Sequence, residues 1–294
     1  MAGAAPDSPA ARVDPNTAQS LFAGVGSVVV NGSPLSGVVI AGQYVLTAGH
    51  VVAGQPVSAI RFALNQGGAQ WVSAVTAAYV YPSYSFPYDD LAILKLSTAV
   101  PAGTPIYPFY SGTLSTGLTI TLAGYGGSGN GDTGVTVVAN SAVKRTGTNT
   151  VDALLSTVDT GTRTSRFYLY DFDGPAGNGS LGGSTTGNAA ETLVAVGDSG
   201  GPSFIRVGNR LQLFGINTFV SPPSGQTTVN YEFGNAGGGI VACDPRFANW
   251  IISTTLATAL IAGAEVPLPL WAGGLLAVLL AAALVIHSWR RAAA

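Results

Sequence analysis

Three short segments of the chain carry side chains that together suit acyl transfer at a carbonyl carbon. His50 lies at the end of the apolar run 45–52, Asp90 immediately precedes the apolar run 91–96, and Ser199 lies within the glycine-rich segment 197–202. A serine nucleophile needs a base to accept its proton, and that base needs a third group to orient it. These three residue types, in the order histidine, aspartate, serine, predict covalent catalysis by Ser199.

His50 is the imidazole that a folded active site would use. The chain has 2 histidines, and His287 falls in the apolar C-terminal segment. Imidazole changes its protonation state near neutral pH, which suits it to take and return a proton. Taken alone, the segment is equally compatible with a structural histidine that is hydrogen-bonded at a strand end.

Asp90 and its neighbour Asp89 are the candidates for the orienting acid. The run 91–96 is apolar on both faces, which is typical of a strand that passes through a core, so a carboxylate at its start needs a buried partner. Successive residues of an extended chain point in different directions, and Asp90 is preferred over Asp89. In isolation, an aspartate here would be interpreted as a turn residue.

The segment 197–202 has the sequence GDSGGP. Glycines allow tight backbone conformations, which would aim the amides of Gly197 and Ser199 at one point. An oxyanion that forms during acyl transfer would be stabilised there. The alternative interpretation is a glycine-rich turn with an exposed serine.

Short β-branched runs separated by turn residues extend from about residue 21 to residue 241, as at 26–30, 37–40, 44–47, 91–96, 118–122 and 211–216. Such spacing, without helical periodicity, indicates an all-β fold. One helix is predicted late in the chain, because Asp244 suits an N-cap and Pro245 suits the first helical position.

The predicted organisation has four parts. Residues 1–20 are an N-terminal segment that would serve as a pro-region, 21–110 a first β unit, 111–258 a second β unit with the closing helix, and 264–294 a C-terminal segment. A surface loop is predicted over about 171–188, where glycine, serine, asparagine and threonine dominate. Asp171 and Asp173 in this loop fit either a calcium ligand pair or a plain turn.

The C-terminal segment contains the apolar, uncharged run 266–286, followed by Arg290 and Arg291. This run is long enough to cross a bilayer, and the arginines place its end in the cytoplasm. A membrane association through 266–289, with the preceding residues outside the cytoplasm, is therefore expected.

Composition narrows the classes of partner. Only 9% of the residues are charged, the formal net charge is −2, and glycine occurs 40 times. A chain with so few charges and a slightly negative net charge offers no positively charged surface for binding nucleic acid. The single cysteine, Cys243, cannot form an internal disulfide. No cofactor and no metal site is predicted.

The three catalytic segments together resemble trypsin- and chymotrypsin-like serine proteases over most of residues 25–250. The segment 123–126 (AGYG), the strand 214–219 and the helix near 247–251 resemble further parts of that family. The resemblance implies a double six-stranded β-barrel with a C-terminal helix, and a serine endopeptidase that acts on a protein or peptide substrate. It also implies a substrate pocket with Leu193 near its base and Thr218, Phe219, Val220 and Gly239 around it, which would favour an apolar side chain.

In relatives made as zymogens, the residue equivalent to Asp198 pairs with a new N-terminus released after a basic residue. Arg12-Val13 lies at a suitable distance before His50, but Asp14-Pro15-Asn16 follows where the family has glycines. Activation by cleavage before Val13 therefore stays a hypothesis.

The C-terminal pattern of VPLP at 266–269, an apolar helix and paired arginines resembles sorting signals of the PEP-CTERM and VPLPA-CTERM type. That resemblance implies cleavage by an exosortase-type processing enzyme in a Gram-negative bacterium, followed by display at the cell surface or secretion. An ordinary single-pass anchor is the alternative. For the β region, the alternatives are a catalytically idle binding module of the same fold and a serine esterase.

Overall fold

The computed structural model describes residues 2–3, 12–66, 69–158, 164–175, 177, 179–183, 185–187 and 190–262. The chain divides into two compact units, residues 1–248 and residues 249–294. The first unit contains all the strands and the beginning of the last helix.

The N-terminal half of the first unit is a closed barrel of six strands. Antiparallel pairing runs around it in the order β2-β3-β4-β7-β6-β5. The apolar residues of these strands, such as Val28, Leu46 and Ile93, have no solvent exposure, so the barrel interior is filled by side chains. The strands are β1 (Ala2–Gly3), which lies outside the barrel, β2 (Val25–Val30), β3 (Ser33–Ala41), β4 (Tyr44–Thr47), β5 (Ile60–Gln66), β6 (Ala69–Val80) and β7 (Ala92–Leu96).

The following half forms a seven-stranded antiparallel sheet in the order β11-β8-β15-β16-β17-β13-β12. Its core includes Leu122, Tyr168, Tyr170 and Phe214, all fully buried. Its strands are β8 (Thr119–Gly124), β11 (Arg145–Thr150), β12 (Ala153–Val158), β13 (Thr164–Asp171), β15 (Pro202–Val207), β16 (Arg210–Ser221) and β17 (Ala236–Ile240). The same half also contains the short strands β9 (Ser128–Asn130), β10 (Gly134–Val137) and β14 (Thr192–Leu193), which are not part of this sheet.

The family resemblance implied six strands in a second barrel. The described residues place seven strands in this sheet, in which the hairpin strand β12 pairs with β13 along its whole length. A small four-stranded sheet, in the order β10-β9-β1-β14, accompanies it. The predicted all-β class is confirmed.

Helices are few among the described residues. The short helix α1 (Gly49–Val52) follows β4, a 3-10 turn covers Val57–Ala59, and α2 covers Pro245–Ala262. The Oδ1 atom of Asp244 accepts the backbone N–H of Arg246 at 3.1 Å, which confirms Asp244 as the N-cap.

Within the part of the chain that the structure describes, neither helix combines the length and the apolar character that crossing a membrane requires. The predicted hydrophobic helix over 264–294 lies outside the described residues.

Candidate active site

The antiparallel pairing of β4 and β7 brings His50 and Asp90 together. Thr47, the last residue of β4, pairs with Ala92, the first residue of β7. A residue just after β4 and a residue just before β7 therefore leave the barrel at the same edge. Chain segments 40 residues apart in sequence meet at this point.

The Asp90 carboxylate holds His50 with both of its oxygens. Oδ2 lies 2.7 Å from Nδ1 of the imidazole, and Oδ1 accepts the backbone N–H of His50 at 2.7 Å. The Asp90 side chain has no solvent exposure, while that of His50 is 24% exposed. A buried carboxylate that accepts from Nδ1–H leaves the other ring nitrogen, Nε2, without the proton and able to accept one.

Gly49 permits this close approach. A Cβ atom at Gly49 would lie 2.9 Å from Cδ2 of Tyr84 and 3.1 Å from Oδ1 of Asp90. Both distances are shorter than ordinary van der Waals contact, so a larger residue would displace the ring or the carboxylate.

Asp89 is turned away from the imidazole. Its φ of 53° places it in the left-handed region, where aspartate is tolerated better than most residues. Its buried carboxylate accepts hydrogen bonds from Ser165 Oγ at 2.6 Å and from the guanidinium of Arg246. The choice of Asp90 over Asp89 as the partner of His50 thus agrees with the observed contacts.

The segment that presents Ser199 is a tight turn built on glycine. Gly197 and Gly200 have φ values of 97° and 80°, which side chains with a Cβ rarely adopt. Between them, the buried carboxylate of Asp198 accepts the amides of Gly126 at 2.9 Å and Ala195 at 3.0 Å. A Cβ at Gly126 would lie 2.5 Å from Cγ of Asp198, so this position must be glycine.

Ser36 on β3 ties the first barrel to the Ser199 turn. Its hydroxyl donates to the carbonyl of Gly197 at 2.8 Å and accepts the amide of Tyr125 at 2.9 Å. Its own amide donates to the carbonyl of Ser199 at 3.0 Å. Sequence reasoning missed Ser36, although a serine within the buried part of a strand indicates a buried hydrogen-bond partner.

Ser199 and His50 line one cavity of about 280 Å³. Three of the predicted pocket residues, Thr218, Phe219 and Val220, also line it. Leu193 belongs instead to the buried core of the second sheet. Gly239 lies on β17, which pairs with both β13 and β16, and a Cβ there would meet the carbonyl oxygen of Ile216 at 2.0 Å. Leu193 and Gly239 are therefore not among the described residues that line this cavity.

Other lining residues were not predicted. Val194, Ala195 and Val196 approach from the segment before Ser199, and Val229 and Tyr231 from the connection between β16 and β17. No local pattern marks this connection, because its contribution depends on how a loop folds back toward the serine. Valine dominates the set, and none of the described lining residues carries a carboxylate.

The model of the trypsin family matches residues 25–236. The chain belongs to this family. The match includes His50, Asp90 and Ser199, and it confirms the resemblance drawn from the sequence. No curated protein matches the chain.

A second cavity of this trypsin-family protein, of about 420 Å³, adjoins the first. Phe219 lines both cavities. Most of the remaining lining is apolar and includes Pro87, Leu155, Phe167 and Leu181. Next to it, Phe86 is 55% exposed and packs edge-on against His50, with ring centroids 5.4 Å apart.

The residues around the hypothetical cleavage point before Val13 are held in the uncut chain. The carbonyl of Arg12 accepts the amide of Thr146 at 3.0 Å, and the amide of Asp14 donates to the carbonyl of Lys144 at 2.8 Å. The carboxylate of Asp14 and the ammonium of Lys144 form a buried ion pair at 3.5 Å. Burial lowers the pKa of Lys144, and the charge of Asp14 opposes that effect.

Arg145 places a positive charge near Asp198 in the same uncut chain. Burial lowers the pKa of Arg145, and attraction to Asp198 counteracts part of that effect. The carboxylate of Asp198 is therefore held by two backbone amides, with the charge of Arg145 in its vicinity.

Proposed function

We propose that the chain is a serine endopeptidase that hydrolyses peptide bonds through Ser199, His50 and Asp90. The observation that carries the proposal is the two-point contact between Asp90 and His50, at 2.7 Å each, beside the cavity that Ser199 lines. The trypsin-family match over residues 25–236 supports it.

In the first half of the reaction, Ser199 Oγ bonds to the carbonyl carbon of the substrate while Nε2 of His50 takes its proton. Asp90 stabilises the imidazolium that results. The carbon–nitrogen bond then breaks, and the imidazolium returns the proton to the leaving amine. In the second half, water attacks the acyl group on Ser199 by the same steps, with His50 again as the base. The carboxylic acid product then leaves and Ser199 regains its proton.

The backbone amides of Gly197 and Ser199 are proposed to stabilise the oxyanion of the tetrahedral intermediate. The positive φ of Gly197 and the hydrogen bond of its carbonyl to Ser36 support this role, because they hold the turn in one conformation. Loss of one such donor costs about 3 kcal/mol in barrier height in other serine proteases.

The two cavities suggest what the substrate presents. The cavity beside Ser199 would take an apolar side chain of medium size, since Val194, Val220 and Val229 surround it. The larger apolar cavity, which Phe219 also lines, would take a second apolar side chain of the substrate. Arginine and lysine substrates are disfavoured for lack of a countercharge among the lining residues.

For localisation, we propose that residues 264–294 direct the protein to the cell surface. The apolar run 266–286 and the arginines after it support either a sorting signal cut by an exosortase-type enzyme or a single membrane anchor. Mass spectrometry of the protein isolated from its own cell envelope tests this, because a sorting signal predicts a C-terminus near residue 266.

A fluorophosphonate probe tests the enzyme proposal. Wild type should be labelled, and Ser199→Ala should not, with an unchanged melting temperature as proof that the variant is folded. The matched control is Ser203→Ala, which removes a buried hydroxyl four residues away on β15. No labelling of wild type would indicate a catalytically idle binding module.

A peptide library and a series of esters distinguish peptidase from esterase. An endopeptidase should cleave internal peptide bonds after medium apolar residues. Turnover of esters alone, with labelling intact, would replace the proposed activity by that of a serine esterase.

A further inference from the structure

Asp89 is a fully buried carboxylate that the proposed reaction does not use. Its side chain has no solvent exposure, and its φ of 53° lies in the left-handed region. Aspartate in this conformation is uncommon and persists where surrounding contacts enforce it. The residue directly precedes Asp90, so any change in its backbone re-aims the acid that orients His50.

Three separate parts of the first unit hold the Asp89 side chain. Ser165 on β13 both accepts the Asp89 amide at 2.9 Å and donates its hydroxyl to Oδ1 at 2.6 Å. Ser83, from the segment after β6, donates to Oδ2. Arg246, at the start of α2, donates to Oδ1 and closes an ion pair. The carboxylate thus links the first barrel to the second sheet.

These contacts bear on the catalytic acid through one turn. The carbonyl of Asp89 accepts the amide of Leu91 at 2.8 Å, so the backbone closes tightly around Asp90. Asp90 itself accepts the backbone amide of His50 with one carboxylate oxygen and contacts the imidazole ring of His50 with the other. Such a two-point contact tolerates little rotation of the carboxylate.

We propose that Asp89 is a positioning residue: its buried contacts with Ser165 and Arg246 hold the left-handed turn that aims Asp90 at His50. The inference rests on the proposed catalytic roles of His50 and Asp90. Ser165 and Arg246 belong to the later half of the unit, whereas Asp89 belongs to the first barrel. The contacts between the barrel and the later half therefore have a part in catalysis.

Charge gives the inference a second consequence. Arg246 neutralises Asp89, so the catalytic pair lies beside a compensated carboxylate. Asparagine at position 89 would preserve the turn and the Ser165 contact but leave the Arg246 guanidinium without its ion-pair partner.

The test compares Asp89→Ala with Asp89→Asn in the full chain, with Asp132→Asn as a control for loss of an exposed carboxylate. The measurements are kcat and KM for a peptide substrate and the low-field ¹H NMR signal of His50 Nδ1–H. The NMR signal reports the His50–Asp90 hydrogen bond and does not depend on turnover.

Asp89→Ala should lower kcat by about tenfold to a hundredfold with little change in KM, and should broaden or remove the low-field signal. Asp89→Asn should recover most of kcat and the signal, because it retains the turn and the Ser165 contact. Asp132→Asn should change neither.

An Asp89→Ala enzyme with wild-type kcat and an intact low-field signal would overturn the inference. Equal losses of kcat in both Asp89 variants would do the same, because asparagine retains the turn. If wild type neither cleaves peptides nor reacts with fluorophosphonate, the proposed function fails, and the NMR comparison still decides the role of Asp89.

Discussion

Ser36→Ala is the most direct test of how the first barrel supports the Ser199 turn and the oxyanion role proposed for it. Ser36 has no solvent exposure, and its hydroxyl bonds both the carbonyl of Gly197 and the amide of Tyr125. Alanine fits the same space but bonds neither group. The substitution therefore leaves two buried backbone groups without the partner they have in the wild type.

The expected magnitude follows from those two groups. Each buried polar group that loses its partner costs about 1–3 kcal/mol, so the free energy of unfolding should fall by about 2–4 kcal/mol if water partly replaces the hydroxyl. The Gly197 peptide also gains freedom. Because full loss of an oxyanion donor lowers kcat by about 10²–10³, partial displacement of Gly197 should lower kcat by about tenfold.

Ser27→Ala is the matched control. Ser27 lies opposite Ser36 in the β2–β3 pairing, is equally buried, and donates to the carbonyl of Leu35 at 3.2 Å. Its loss should reduce the free energy of unfolding by about 1 kcal/mol and leave kcat unchanged.

Urea unfolding at pH 7, together with kcat and KM for an apolar peptide, separates the two effects. The reasoning predicts a lower kcat with a nearly constant KM for Ser36→Ala. It would be refuted if Ser36→Ala kept the wild-type kcat, or if both serine variants lost stability and activity to the same extent.

Three further predictions concern pH, specificity and activation. Burial, with a contribution from Asp171, raises the pKa of Asp152 to about 7. The unfolded state loses this proton near pH 4, whereas the folded state keeps it up to about pH 7. The free energy of unfolding should therefore decrease from pH 4 to 7 and then level off. Urea titrations of Asp152→Asn should lack this component of the decrease. Val220→Gly should enlarge the cavity beside Ser199 and raise kcat/KM for aromatic relative to medium apolar substrates, which a set of peptide anilides measures; an unchanged preference would contradict the proposed location of the pocket. The intact chain should react with fluorophosphonate without cleavage before Val13, since Asp198 is already held; N-terminal sequencing of labelled protein that finds only chains starting at Val13 would disprove this.

Local sequence was sufficient for much of the fold. The strand predicted at 44–47 matches β4, and the run 91–96 differs from β7 by one residue. Asp244 and Pro245 marked the start of α2, because N-capping depends on neighbouring residues alone. The number of strands in the second sheet was not predictable in the same way, since it depends on which hairpin pairs with which edge.

The cavity beside Ser199 shows which of the expected lining residues sequence reasoning placed there and which it did not. Phe219 and Val220 were assigned to the pocket from the family resemblance, and both line the cavity. Leu193 was assigned by alignment to a segment of unusual length, and it packs in the core instead. Tyr231 approaches from a loop whose course no periodic pattern describes.

The sequence by itself determined the chemical groups and their order: one imidazole in the β region, a carboxylate before an apolar strand, and a serine between glycines. These are properties of residue type and near neighbours. The sequence favoured Asp90 over Asp89, but only the tertiary structure decided how Asp90 contacts His50, that Asp89 turns to Arg246, and that Ser36 supports Gly197. Such contacts join residues 40, 157 and 161 positions apart, and they are set by strand register and backbone torsion, which no local pattern encodes.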